Sequence, residues 1–290
     1  MSSEAAGNAC SPSGRLLSHV MGFLAALVVA RFVLEILGAP HQTTRYFSAT
    51  VGLLFAAIYV AAVGPLRGCL HKFSQLLLPA LILSAWTQAW VILATIVSAV
   101  FRLQRSHFAD PNDYGRWGAL ARHLLGHVVE IATLFLVIFL LMAIVHALWR
   151  WPVTVAPGVL LGMVVIMRFW TESMSVEPWR AAAWSSTVLV LLGAAYVGGM
   201  GPRLGLSGAR QLLVPSLVLG WAWRLWVYLA TVLAALVPFF QTHFFDATQG
   251  PAVPRLVRLL GFSILEGFVA GLIVWGVAVW IARATRPRTA

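Results

Sequence analysis

Charge is what this chain has least of. Only 10% of its residues are Asp, Glu, Lys or Arg, against roughly a quarter in a soluble domain, and that scarcity excludes an ordinary soluble fold. Cysteine is almost missing as well: Cys10 and Cys69 are too few and too unpatterned for a disulfide framework or a cysteine metal site. Long basic stripes are absent, so the formal charge of +11 does not point to nucleic acid. The opening "MSSEAAGNACSPSGR" lacks the short apolar core and small-residue cleavage site of a secretory signal. The first apolar run is therefore expected to stay as a helix. No apolar stretch precedes Cys10, which argues against a lipoprotein anchor.

What the chain has instead is hydrophobic residues, 60% of the total. Runs long enough to cross a bilayer, about 17–25 residues each, lie near 17–37, 47–66, 76–101, 128–149, 153–173, 182–200, 212–240 and 260–282. The expectation is an all-α integral membrane protein with about eight transmembrane helices. With the N-terminus inside, the cytoplasmic segments carry nine cations (Arg15, Arg67, Lys72, Arg150, Arg203, Arg210, Arg283, Arg286 and Arg288). The outer loops carry six (Arg45, Arg102, Arg105, Arg116, Arg180 and Arg255), with Arg122 and Arg258 at helix starts counted on neither side. The positive-inside rule then favours both termini in the cytoplasm, and Asp110, Asp113, Glu177 and Asp246 fall outside with only Glu4 inside. Arginine dominates lysine, and Ala, Gly and Leu are abundant. That usage suggests a GC-rich, bacterial gene and hence the inner membrane, since helices of this kind do not build outer-membrane barrels.

The two halves repeat each other. "YVAAVGP" (59–65) recurs as "YVGGMGP" (196–202), "QLLLP" (75–79) as "QLLVP" (211–215), "WVILAT" (90–95) as "WVYLAT" (226–231) and "HFAD" (107–110) as "HFFD" (243–246). The offset is 137 before the QLL segment and 136 after it. Each half has four crossings, an even number, so both enter the membrane from the same side as parallel repeats about a pseudo-two-fold along the membrane normal. The expected organisation is a polar tail (1–15), a first four-helix repeat (16–149), an interfacial linker (150–152), a second repeat (153–283) and a basic tail (284–290). Most repeated residues have plain packing roles: Gly64-Pro65 and Gly201-Pro202 end helices, Pro79 and Pro215 sit near helix starts, and Trp90 and Trp226 pack between helices.

The charged residues inside the apolar runs are the candidates for function. "RFVLE" (31–35) and "RFWTE" (168–172) each place Arg and Glu at i, i+4, where Arg31 can neutralise Glu35 and Arg168 can neutralise Glu172. Even so, a central charge costs about 2.5–3.5 kcal/mol on insertion scales. His107 and Asp110, like His243 and Asp246, are spaced i, i+3 and share a direction if the segment is helical, or else form a helix cap. In "RHLLGHVVE" (122–130), His123, His127 and Glu130 fall on one helical face. They suit a proton relay or, with His107 and Asp110, a divalent metal, because imidazole and carboxylate both ligate such ions. No HExxH-type motif accompanies them. The second half keeps only Glu266 there, with Leu259 and Ser263 at the histidine positions, and has Arg224 where the first has Gln88. An Arg224–Glu266 ion pair is expected, flanked by Trp221 and Trp223. It would leave Glu130, near His127 and Gln88, as the uncompensated carboxylate.

Three function classes follow. A transporter or permease of a small solute or ion would use Glu130, His127 and Gln88, with Glu35, Arg31, Glu172 and Arg168, as binding or proton-relay groups. A non-catalytic membrane subunit or assembly factor would use the same charges only to fix helix packing and leave chemistry to a membrane protein partner. A metal-dependent membrane enzyme would need a divalent ion as cofactor, held by His107, Asp110, His123, His127 and Glu130, to activate water.

Overall fold

The protein is an all-α, multi-span membrane protein. The computed structural model describes residues 11–174, 184–236, 242–246 and 250–285. Glu4, Glu177, Arg180, Arg286 and Arg288, which entered the topology expectation, lie outside these residues, as does Cys10. The chain forms α1 (Ser11–Ile36), α2 (Ala49–Val63), α3 (Leu77–Val100), α4 (Trp117–Leu148), α5 (Val155–Ser173), α6 (Ser186–Met200), α7 (Ala209–Leu236) and α8 (Ala252–Ala284). Among the described residues the only β pairing is an isolated bridge between Thr242 and Phe245. Among the described residues, seven candidate spans are long and apolar enough to cross a membrane, α2 counting with the short turns that precede it from His41. The eighth helix, α6, is apolar but has 15 residues, or about 22 Å at 1.5 Å per residue.

The two longest helices begin well before their apolar runs. α4 starts at Trp117 and α8 at Ala252, giving lengths of 32 and 33 residues, about 48–50 Å at the helical rise. That exceeds the roughly 30 Å hydrocarbon core, so the polar first turns of α4, with Arg122 and His123, continue the helix beyond the greasy stretch. Hydropathy misses such turns because the helix persists where the apolar run does not.

The chain divides into two compact units, Met1–Ala143 and Ile144–Ala290. The division falls in the last turns of α4, where Leu148 already packs on Gly158 of α5. In the first unit, hydroxyls of α3 serve its own backbone: Ser84, Thr87 and Thr95 each donate to the carbonyl four residues back, at 2.8–2.9 Å. Such bonds let polar side chains sit in a buried helix without orphaned donors. Trp86 Nε1 reaches across to the Met21 carbonyl of α1 at 2.9 Å. Trp90 packs on a small cluster with Val28, Ala94 and Phe108.

In the second unit, Trp226 is buried and donates to the Gly158 carbonyl at 2.9 Å. A Cβ on Gly162 would come within 2.6 Å of its ring. α7 and α8 meet through small residues, since a Cβ on Gly220 would collide with the backbone of Gly267 and Gly271. Close backbone approach through glycine is the usual way helices gain dispersion contact inside a membrane, where there is no hydrophobic drive between them.

The Gly-Pro helix ends work slightly differently from the simple cap. Gly64 and Gly201 keep right-handed backbone angles, and the left-handed turn comes later, at Gly68 (φ 74°) and Gly205 (φ 84°). Pro65 and Pro202 each open a short 3₁₀ turn between the two. Pro79 lies in the first turn of α3, whereas Pro215 is inside α7 because that helix starts at Ala209.

Candidate functional site

Each unit contains an Arg–Glu–His triad that unites two motifs far apart in the chain. In the first unit Arg31 Nε donates to Glu35 at 3.1 Å. The loop after α3 then brings His107 to the same carboxylate, with backbone N–H at 3.1 Å and ring Nδ1 at 2.6 Å. Glu35 is only 2% exposed. In the second unit Arg168 Nε meets Glu172 at 3.0 Å, and His243 reaches it through its backbone N–H at 3.0 Å and Nδ1 at 2.5 Å. The phenylalanine in each motif completes the contact: Phe32 meets Phe108 edge-on at 5.9 Å, and Phe169 meets Phe244 at 6.0 Å. A carboxylate can only accept, so the proton of each imidazole sits on Nδ1.

His107 and Asp110 do not act together, because the segment between them is not helical. Asp110 caps the 3₁₀ turn Pro111–Asp113, accepting from the Asn112 N–H at 2.8 Å. In the second unit the Asp246 carbonyl accepts from Arg255 Nη1 at 2.6 Å, and that guanidinium lies 4.3 Å over the Phe245 ring.

Burial pushes the His107 imidazole below its ordinary proton affinity, and the Glu35 carboxylate only partly offsets this, with Arg31 and Arg45 also nearby and the His41 ring 6.2 Å away. The unfolded chain would take up a proton near pH 6.5 while the folded chain resists. Between the two values the unfolded state binds more protons, so this contribution to stability is present above about pH 6.5 and fades as pH falls. The melting temperature of the purified protein should therefore drop from pH 7 to pH 5. His107→Gln should flatten that slope, and an unchanged slope would remove the assignment.

The second cluster lies on α4 and α3. His127 Nδ1 is 3.0 Å from Glu130, and Gln88 Nε2 donates to the same carboxylate oxygen at 3.2 Å. Two buried atoms beside it have no partner: Gln88 Oε1 and His127 Nε2. With Nδ1 protonated, His127 Nε2 is a lone-pair acceptor, as is Gln88 Oε1. Glu130 itself is 57% exposed in side-chain terms. One turn outward, the His123 and His127 rings lie 5.0 Å apart, and His123 Nδ1 is bound to Asp113 at 2.7 Å. Titratable groups thus run in the order Asp113, His123, His127, Glu130. Asp113 was not among the candidates. Its signal was slight, since it precedes α4 in an irregular turn and its partner lies ten residues on.

At the aligned positions of the second unit, Arg224 Nη2 and Glu266 are in direct ionic contact. Arg224 stacks at 5.4 Å on Trp223, while Trp221 donates elsewhere, to the Ile264 carbonyl. Arg224 Nε is buried without a partner.

The five candidate metal ligands do not gather at one point. His107 is held by Glu35, His123 by Asp113 and His127 by Glu130, while Asp110 caps a turn. Among the described residues no three His, Cys, Asp or Glu side chains form a group that could hold a metal ion. The physical reason is that each imidazole has its own carboxylate, supplied by a different stretch of chain. Comparison with protein-family models, with curated proteins and with solved structures gives no match to this chain.

Proposed function

We propose that this multi-span membrane protein is a proton-coupled transporter or permease of a small solute or ion. The further reading is a bacterial inner-membrane protein with both termini cytoplasmic, built from two four-helix repeats. The observation that carries the transport reading is the contrast between two aligned carboxylates. Glu266 has a fixed guanidinium beside it, whereas Glu130 has an amide and an imidazole. A carboxylate within an apolar span is costly when ionised, so a group without a permanent cation is suited to take and release a proton.

The chain from Asp113 supplies a route. His127 can accept a proton at Nε2 and pass the one on Nδ1 to Glu130, leaving a neutral imidazole and a neutral carboxylic acid. The reverse step restores both groups. His123, held by Asp113, stands where protons would arrive from the end of the span. Gln88 orients the Glu130 carboxylate and presents Oε1 to whatever donor shares the spot.

The triads support the packing role of the alternative, a non-catalytic subunit. Glu35 accepts from three donors and is buried, so it ties α1 to the loop after α3 rather than waiting for a ligand. Purified protein in liposomes carrying an internal pH dye separates the readings. Under an inside-negative potential the transport reading expects acidification several-fold faster than in protein-free liposomes, and equal rates would leave only the packing role.

A further inference from the structure

We propose that the cavity between the end of α3 and the start of α4 binds a phosphate group, foremost that of an anionic phospholipid. The cavity holds about 200 Å³, and its walls include Arg102, Asp113, Gly115, Arg116, Trp117 and Leu120. The Arg102 guanidinium lies across the backbone at Gly115, 3.5 Å from where a Cβ would stand on that left-handed glycine (φ 71°). The next residue, Arg116, lines the same cavity. Among the described residues neither side chain has a carboxylate or another hydrogen-bond partner. The one acid in the wall, Asp113, is already engaged: it is 5% exposed and accepts from His123 at 2.7 Å and from the Asp110 N–H at 3.0 Å.

Two arginines lining one cavity without a carboxylate partner suit phosphate, whose oxygens accept paired N–H donors. The position favours a lipid as the source. The candidate span Phe73–Val100 ends at the cavity wall, which favours headgroup depth for the Arg102 side of the cavity. Phe101 and Trp117 are 70% and 73% exposed beside it, as expected for side chains that sit among headgroups. Val100, also exposed, offers an apolar flank for an acyl chain. This site stands independently of the transport reading.

The test uses the full chain in neutral detergent, with lipid retention measured by native mass spectrometry. Phosphatidylglycerol should be held at least about ten-fold more tightly than phosphatidylcholine, since each arginine near a membrane adds appreciable attraction for anionic lipid. Arg102→Gln/Arg116→Gln should erase the preference, and Arg102→Lys/Arg116→Lys should retain part of it. If the glutamine variant does not fold, the lysine variant and the two-lipid comparison decide. Competition of phosphatidylglycerol by millimolar inorganic phosphate would support the site and show that it reads the phosphate itself. Binding of inorganic phosphate alone would also support it, with a soluble source. Equal retention of the two lipids with no phosphate binding, or a preference unchanged in the glutamine variant, would overturn it.

Discussion

Glu35→Gln should lower the melting temperature by about 6–20 °C, the largest stability loss expected of any single change in the first unit. The carboxylate is buried and accepts from Arg31 Nε, the His107 N–H and His107 Nδ1. An amide of the same shape turns one acceptor into a donor facing donors, and it leaves Arg31, 15% exposed, without its counter-charge. Breaking a buried pair by removing one partner typically costs about 3–5 kcal/mol, and each kcal/mol is worth about 2–4 °C in proteins approaching this size. Glu172→Gln should do less, because Glu172 and Arg168 are 12% and 29% exposed, and a more solvated pair contributes less. Thermal unfolding of both variants in detergent checks the order. A shift under 1 °C for Glu35→Gln would mean the triad does not hold the fold.

Half of that triad was legible in the sequence. Arg31 and Glu35, or Arg168 and Glu172, meet because the α-helix brings i and i+4 together, and spacing alone suffices for that. The histidines are another matter. His107 reaches Glu35 across 72 residues and His243 reaches Glu172 across 71, through irregular segments whose path no periodicity sets. The repeated HF motif showed that something recurs in both halves, but not what it touches. The same division holds on α4: His123, His127 and Glu130 share a face by helical spacing, whereas Asp113 arrives through a 3₁₀ turn. The five candidate metal ligands stay apart in the described residues for a related reason. Shared direction along a helix does not make a ligand shell when each ring has a nearer carboxylate of its own.

Gln88→Arg should abolish proton flux, by at least about ten-fold, while leaving the fold intact. The second unit carries the corresponding pair: Arg224 and Glu266 stand 136 residues after Gln88 and Glu130, and the guanidinium is accommodated against Trp223 and paired with the acid. An arginine at 88 would compensate the Glu130 charge permanently. The carboxylate would then have no need of the proton that the proposed relay through His127 would bring. Glu130→Gln should lose flux to the same extent by removing the group altogether. Arg224→Gln should not create a second path, because Ser263 and Leu259 stand where the first unit has His127 and His123. Dye acidification rates in liposomes, with circular dichroism as the folding control, distinguish these outcomes. Wild-type flux in a folded Gln88→Arg protein would sink the proposal that Glu130 carries the proton, since a fixed cation beside a carboxylate and a titrating carboxylate cannot serve the same step.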